Sequence, residues 1–442
     1  MIEKAKKIFI SGIGGIGVSA LARILKSKGA DITGSDLEAS EVTSDLEKVG
    51  IEIVIGQKKE NLMTETDLLI YSSAVPERGP ERREAERLEN PQLSYPQALG
   101  ELAQSCEKIV AVAGTNGKTT TTAMIGRILE DAYEDPTVVV GSKVLSWNSN
   151  ARIGGGKYLI LEADEYRRAF LNYQADVAVI TNIETDHLDY FRDLDDIKLA
   201  FSQFLKNTKA GAAVIYNADD DASRQVVGGA GLKKIGFGFT SAADISPQSL
   251  PNLNLLIPGR FTLANALAAA AAAHEVGVSW LNIRKGLENF TGTRRRFEKL
   301  GRVGKTDIIS DYAHHPTGLR VLLETAFDVY THKNILVVFQ PHQHNRTKKL
   351  FENFVQSMCQ SEIADFILPE IFDVPGREAE KDKDISSKDL VRELLACGKQ
   401  AQFAANLQQA EAMIRERLSG YDAILIVGAG DVYKIANNLV GK

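Results

Sequence analysis

Cysteine is scarce in this chain: Cys106, Cys359 and Cys397 are the only three in 442 residues. Odd in number, widely separated and without C-x-x-C spacing, they argue against a disulfide framework or a structural zinc site and fit a reducing cytoplasm. An excess of one charge is missing too. With 52 basic against 58 acidic side chains the net charge is −6, which points to no nucleic-acid partner. Long apolar runs are also absent. The nearest approach, IFISGIGGIGVSALARIL, is interrupted by four glycines and Arg23, so neither a targeting segment nor a membrane partner is expected. The 44% hydrophobic and 25% charged content is that of a globular protein, and the length suggests two to four domains.

What is present is organised around KIVAVAGTNGKTTTT, residues 108–122. An apolar strand runs into a turn framed by Gly114 and Gly117, then into a threonine-rich helix start. Glycines let the backbone curl so that consecutive N–H groups face phosphate oxygens, and the helix dipole adds to the attraction. Lys118 supplies a point charge for the β/γ-phosphates and Thr119 a hydroxyl for Mg²⁺. The loop has a shorter form, G-T-x-G-K-T, than the usual G-x-x-x-x-G-K-[ST]. The expected ligand is ATP.

Upstream, KIFIS leads into a G-x-G-x-x-G turn at Gly12, Gly14 and Gly17, a helix, and a second strand ending at Asp36. That spacing is the pattern of a dinucleotide-binding unit with its ribose-binding acid. By itself it predicts a nicotinamide enzyme. Strand and helix patterns continue to PQALGELAQSC, giving a first α/β domain over 1–105.

A second domain, 106–293, contains YLILEADEYRRAFL, ADVAVITNIETDHLDYF and GAAVIYNADDD. Ligands bind beyond the carboxyl ends of parallel strands, so Glu162 and His187 are the main metal or phosphate neighbours expected. Asp164, Glu165 and Glu184 are weaker candidates; Asp186 and Asp189 suit turns as well as function. The alanine-rich run after Leu263 predicts a helix with Asn265 in its first turn. His274 is read there as a packing or surface residue.

A third domain, 294–442, begins near the arginines of TGTRRRFEKLG and alternates strands with helices through TDIISDYAHHP, NILVVFQPHQHNRT, ADFILPEIF and DAILIVGAGDVYKIANNLV. The charged REAEKDKDISSKD reads as an exposed loop. The fold class expected is α/β with three domains: Rossmann-like, a central P-loop ATPase-like parallel sheet, and a second Rossmann-like sheet.

GIGGIG with SD, AGTNGKTTTT, EADEYRRAFL, TNIETDHLDYF, NALAA, GTRRRFE, DYAHHP, FQPHQHNRT and GAGD occur in the order and spacing of one family. The chain resembles the Mur ligase family over essentially its whole length. The resemblance implies that the first domain binds the diphosphate of a UDP-sugar, with Gly12, Gly14, Gly15, Gly17, Ser35, Asp36 and Ser73 as contacts. It further implies ATP-dependent joining of L-alanine to the lactyl carboxylate of UDP-N-acetylmuramate through an acyl phosphate, in peptidoglycan precursor synthesis. ATP would be held by Gly114, Thr115, Asn116, Gly117, Lys118, Thr119 and Thr120, by Asn265, and by Arg295 with Asp311. Thr119 with Glu162 would hold Mg²⁺, His187 would ligate a second metal with Glu162 shared, and Lys118 would stabilise the moving phosphoryl group. His314, His315 and Arg346 would form the amino-acid end, where a guanidinium suits a carboxylate. Domain closure would exclude water. A cytoplasmic monomer or homodimer is the expected form.

Asn116, Phe261, Thr262 and Gln343 depart from the family pattern, which more often has His, His, Asn and Arg there. A ligase of the same family that recycles an intact peptide stays open as an alternative, and, more remotely, so does a nicotinamide oxidoreductase.

Overall fold

The computed structural model describes residues 1–373 and 382–441. Its strands assemble into three sheets. In the first, β1 (Lys7–Ser11), β2 (Asp31–Asp36), β3 (Glu52–Ile55), β4 (Leu68–Tyr71) and β5 (Gln92–Ser94) pair in parallel in the order β3-β2-β1-β4-β5. The chain thus leaves β1 to one side and returns on the other. The glycine turn follows β1, at the point where strand order reverses and a crevice opens.

The second sheet contains β6 (Lys108–Ala113), β7 (Thr137–Val144), β8 (Ser149–Arg152), β9 (Tyr158–Glu162), β10 (Val177–Ile180), β11 (Ala213–Asn217) and β12 (Lys233–Phe237). Their order is β12-β11-β10-β6-β9-β7-β8, parallel except for the β7–β8 hairpin. Here β6 occupies the reversal point, and the phosphate loop follows it. Ile109 to Ala113 are all buried, as expected of a parallel strand covered on both faces.

The third sheet comprises β13 (Glu298–Val303), β14 (Thr306–Asp311), β15 (Ile335–Phe339), β16 (Asp365–Pro369), β17 (Gln400–Ala404) and β18 (Ala423–Val427). The order is β13-β14-β18-β15-β16-β17, with only β13 antiparallel. All residues of β15 and β18 are buried.

By packing, the chain forms two compact units. One comprises 1–184, 195–256 and 264–291, the other 185–194, 257–263 and 292–442. The first two sheets therefore share a unit, and the segment carrying Asp186 and His187 belongs with the third. In helix Arg260–Glu275 every residue from Ala266 to Ala273 is buried, so alanine serves there as a small packing residue and not only as a helix former.

Two sequence expectations need correction. Cys359 and Cys397 are joined as a disulfide with a Cα–Cα distance of 6.0 Å; they close the ends of helices Phe351–Cys359 and Ser387–Ala396, a tertiary proximity that spacing does not reveal. Of the charged stretch read as a loop, residues 377–381 lie outside the described residues, and 387–389 already open the second of those helices, capped by the Ser386 hydroxyl. Among the described residues, no helix is long and apolar enough to cross a membrane.

Candidate active site

In the first unit, the phosphate loop turns through Gly114 (φ 133°) and Gly117 (φ 86°). Only glycine fits at 117, because an added Cβ would lie 2.4 Å from the Asn265 side-chain oxygen. Asn265 also accepts from the Thr121 hydroxyl at 3.3 Å, so it borders the loop.

Two of the N–H groups expected to face phosphate do not. Those of Thr115 and Asn116 donate to Asn182, at its carbonyl (3.0 Å) and its side-chain oxygen (2.9 Å). The loop is braced from TNIE, a role the sequence reading gave neither Asn182 nor Thr181, whose hydroxyl donates to the Asn116 carbonyl at 2.5 Å. The donors left for phosphate begin at Gly117 and the first turn of helix Lys118–Asp131, whose N–H groups have no intrahelical partners. Thr120 lies in that turn.

Lys118, its side chain 13% exposed, donates to both oxygens of the buried Glu165, at 2.8 and 3.0 Å. Burial would lower its pKa, but Glu165, Asp164 and Glu162 outweigh burial and raise it. The lysine is therefore a fixed cation. Thr119 donates to Glu162 Oε1 at 3.1 Å, while Glu162 Oε2 accepts the Gly141 N–H at 2.7 Å. Two neighbouring hard oxygens beside a phosphate-binding turn suit Mg²⁺, which takes one or two protein oxygens and completes its shell with phosphates and water.

The glycine turn differs in detail from expectation. Asp36 accepts the Gly14 N–H at 2.8 Å and the Leu37 N–H at 2.8 Å, so it holds the turn's shape and occupies a donor expected for the ligand. Ser35 is fully buried. Its hydroxyl donates to Glu81 at 2.8 Å, and its carbonyl accepts from Gly12 and Ile13. Ser11 and Asn61 also donate to the buried Glu81, a supporting network invisible in the motif. Gly15 caps helix Ile16–Ser27, Gly17 lies in its first turn, and Ser73 is exposed.

In the second unit Asp186 is the partner of Arg346: its Oδ1 accepts from Nε at 3.2 Å and from Nη2 at 3.0 Å. Burial would raise the Asp186 pKa, but the Arg346 guanidinium, first among its neighbours, holds it far below the carboxylate range. A small open pocket is lined by Asp186, His187, Gln343, Asn345, Arg346 and Leu350, among others. His187 and Gln343 hold left-handed φ values of 52° and 72° there, the kind of strain that gathers at functional sites.

The two neighbouring histidines separate cleanly. His315 caps helix Pro316–Val329, accepting from Thr317 at Nδ1 and donating from Nε2 to the Thr185 carbonyl at 3.1 Å, so both nitrogens are engaged. His314 donates from Nδ1 to the Tyr312 carbonyl at 3.1 Å. Burial first, and Arg346 second, keep it neutral by lowering its pKa.

Arg295 is not a free arm. Its guanidinium lies 4.7 Å from the ring centres of both Tyr312 and Tyr433 and donates to the carbonyls of Gly428 and Gly430. Asp311 accepts the N–H groups of Phe297 and Ala313, each at 2.7 Å. Arg295 thereby latches the G-A-G-D turn, while the Asp311 side chain holds the backbone at Phe297 and Ala313. His274 packs against Trp280, their ring centres 4.6 Å apart and tilted by 31°.

Three family models match the chain in sequence order: "Mur ligase family, catalytic domain" over 7–106, "Mur ligase middle domain" over 112–273 and "Mur ligase, glutamate ligase domain" over 295–430. The chain belongs to the Mur ligase family. Among its Mur relatives, the UDP-N-acetylmuramate--L-alanine ligase of Agathobacter rectalis is 37% identical, the match covering 100% of this chain and 99% of the relative. That of Salinibacter ruber is 36% identical over 99% and 95%. A solved UDP-N-acetylmuramate-alanine ligase from Thermotoga maritima is 28% identical with a TM-score of 0.81, each chain covered to 98%. A murein peptide ligase from Psychrobacter arcticus, 23% identical with a TM-score of 0.73, shares the fold. This Mur ligase therefore has the three-domain α/β architecture of its family.

Proposed function

We propose that the chain is an ATP-dependent ligase that joins L-alanine to the lactyl carboxylate of UDP-N-acetylmuramate, giving the alanyl amide, ADP and phosphate for peptidoglycan synthesis. The observation that carries this reading is the pairing, in one compact unit, of a glycine turn suited to a diphosphate with a phosphate loop holding Lys118, Thr119 and Glu162. Two phosphate-binding turns serve two nucleotides. Full-length relatives named as alanine ligases supply the acceptor.

A carboxylate is a poor electrophile. Its oxygen attacks the γ-phosphorus of ATP and ADP departs; the alanine nitrogen then attacks the acyl carbon, phosphate leaves and the amine loses its proton. Lys118 stabilises charge on the transferring group. Thr119 and Glu162 would hold Mg²⁺, which would supply charge neutralisation to the phosphates, and His187 would ligate a second metal ion. Arg346, steadied by Asp186, is the cation for the amino-acid carboxylate, and neutral His314 offers an acceptor for the amine.

The test is phosphate release from MgATP and UDP-N-acetylmuramate, with L-alanine, glycine, serine or the cell-wall tripeptide added singly. Release with L-alanine is expected. Release with the tripeptide alone would make this a peptide-recycling ligase, and cofactor-dependent absorbance change without phosphate release would make it an oxidoreductase.

A further inference from the structure

Tyr95 is absorbed by neither phosphate-binding motif. It is the first residue of helix Tyr95–Ala103, with Pro96 next and Ser94 as cap, a rigid mount. Its ring stands on the diphosphate turn: a Cβ added at Gly17 would lie 2.6 Å from Tyr95 Cζ and 2.7 Å from its hydroxyl oxygen. Further along the same helix, Gly100 packs so closely on the Asn172 carbonyl that an added Cβ would lie 2.5 Å from it. This contact ties the helix to segment Tyr166–Asn172, which starts where Asp164 accepts the Tyr166 N–H at 3.0 Å. The tyrosine is thus mounted beside one phosphate-binding turn and braced on the segment that follows Glu162.

Burial, then Glu162 and Asp164, raise the Tyr95 pKa well above that of an ordinary phenol, so it is a neutral donor. Among the described residues its hydroxyl has no hydrogen-bond partner, and the residue is half-buried. A phenol usually finds an acceptor in such a setting. The substrate of the proposed reaction must run from the diphosphate turn to the phosphoryl-transfer residues, and what lies between is its hexose with its acyl and lactyl oxygens.

We infer that Tyr95 is a substrate-positioning residue whose hydroxyl donates a hydrogen bond to an oxygen of the hexose portion of the nucleotide sugar. This inference rests on the nucleotide-sugar reading above. UDP alone, which lacks the hexose, separates the two.

The experiment is titration calorimetry of wild type and Tyr95→Phe with UDP and with UDP-N-acetylmuramate, together with KM for each substrate. Tyr95→Phe keeps the ring on Gly17 and removes only the donor. The Kd and KM for UDP-N-acetylmuramate are expected to rise about tenfold, the worth of one hydrogen bond, while Kd for UDP, KM for ATP and Tm stay unchanged. An unchanged Kd for UDP-N-acetylmuramate would overturn the inference, and an equal loss for UDP would reduce Tyr95 to packing behind the turn. Wild type binding neither ligand would overturn the nucleotide-sugar reading, and Tyr95's role with it. Gly17→Ala, which displaces the ring, is expected to weaken UDP and UDP-N-acetylmuramate alike; UDP binding left intact in that variant would show that the ring does not rest on the diphosphate turn.

Discussion

Lys118 carries two obligations that mutation can separate. It is the cation for the phosphoryl group, and it is the partner of the buried Glu165 at 2.8 Å. Lys118→Met is expected to reduce phosphate release at least about 100-fold and also to lower Tm, since breaking a buried ion pair costs about 3–5 kcal/mol. Adding Glu165→Gln removes the unbalanced charge and should restore much of the Tm without restoring turnover. Phosphate release persisting in Lys118→Met would remove the lysine from the mechanism. Lys118 was legible from sequence because a glycine-framed turn before a helix has few other uses. Its partner was not, because Glu165 lies 47 positions away and only folding selects it from EADE. Asp186, which suited a turn as well as function, was undecided for the same reason: its partner Arg346 lies 160 positions on. The setting of Arg295 was hidden as well, because nothing in three consecutive arginines tells which one Tyr312 and Tyr433 enclose.

Among elements, the strands were the more legible part, since β-branched runs covered on both faces leave a plain signal, and both phosphate-binding turns follow from glycine placement. Cross-strand chemistry was hidden. Asp307 in β14 accepts from Lys299 and Arg302 of β13, each at 2.7 Å, and from the Tyr330 hydroxyl at 2.8 Å. Burial would raise its pKa, but these donors bring it to about 2. The folded value is below the unfolded one, near 3.9, so the stabilisation is complete above about pH 4 and is lost as pH falls towards 2. Asp307→Asn should therefore lower Tm at pH 7, and the gap to wild type should narrow between pH 4 and 2; a gap independent of pH would refute the linkage. Helix Arg260–Glu275 makes a second demand. Ala270 is fully buried, so Ala270→Leu, although a good helix former, should destabilise by about 1–3 kcal/mol through overpacking, seen as a lower urea midpoint with an unchanged slope. A neutral result would mean that the helix has room beside it.

At the scale of the molecule, two compact units divide the chemistry: the phosphate loop and glycine turn belong to one, Asp186, His314 and Arg346 to the other. Separate cores permit separate cooperative transitions, and a ligand stabilises the unit that binds it. Calorimetry should then resolve two transitions. MgATP at a hundred times its Kd should stabilise the unit of the phosphate loop by about 2.7 kcal/mol, whereas Asp307→Asn should move only the transition of the unit built on β14. This pairing assigns each transition without cutting the chain. If Asp307→Asn and MgATP shift the same single transition, the two cores unfold as one, and the division of labour between them has no thermodynamic counterpart.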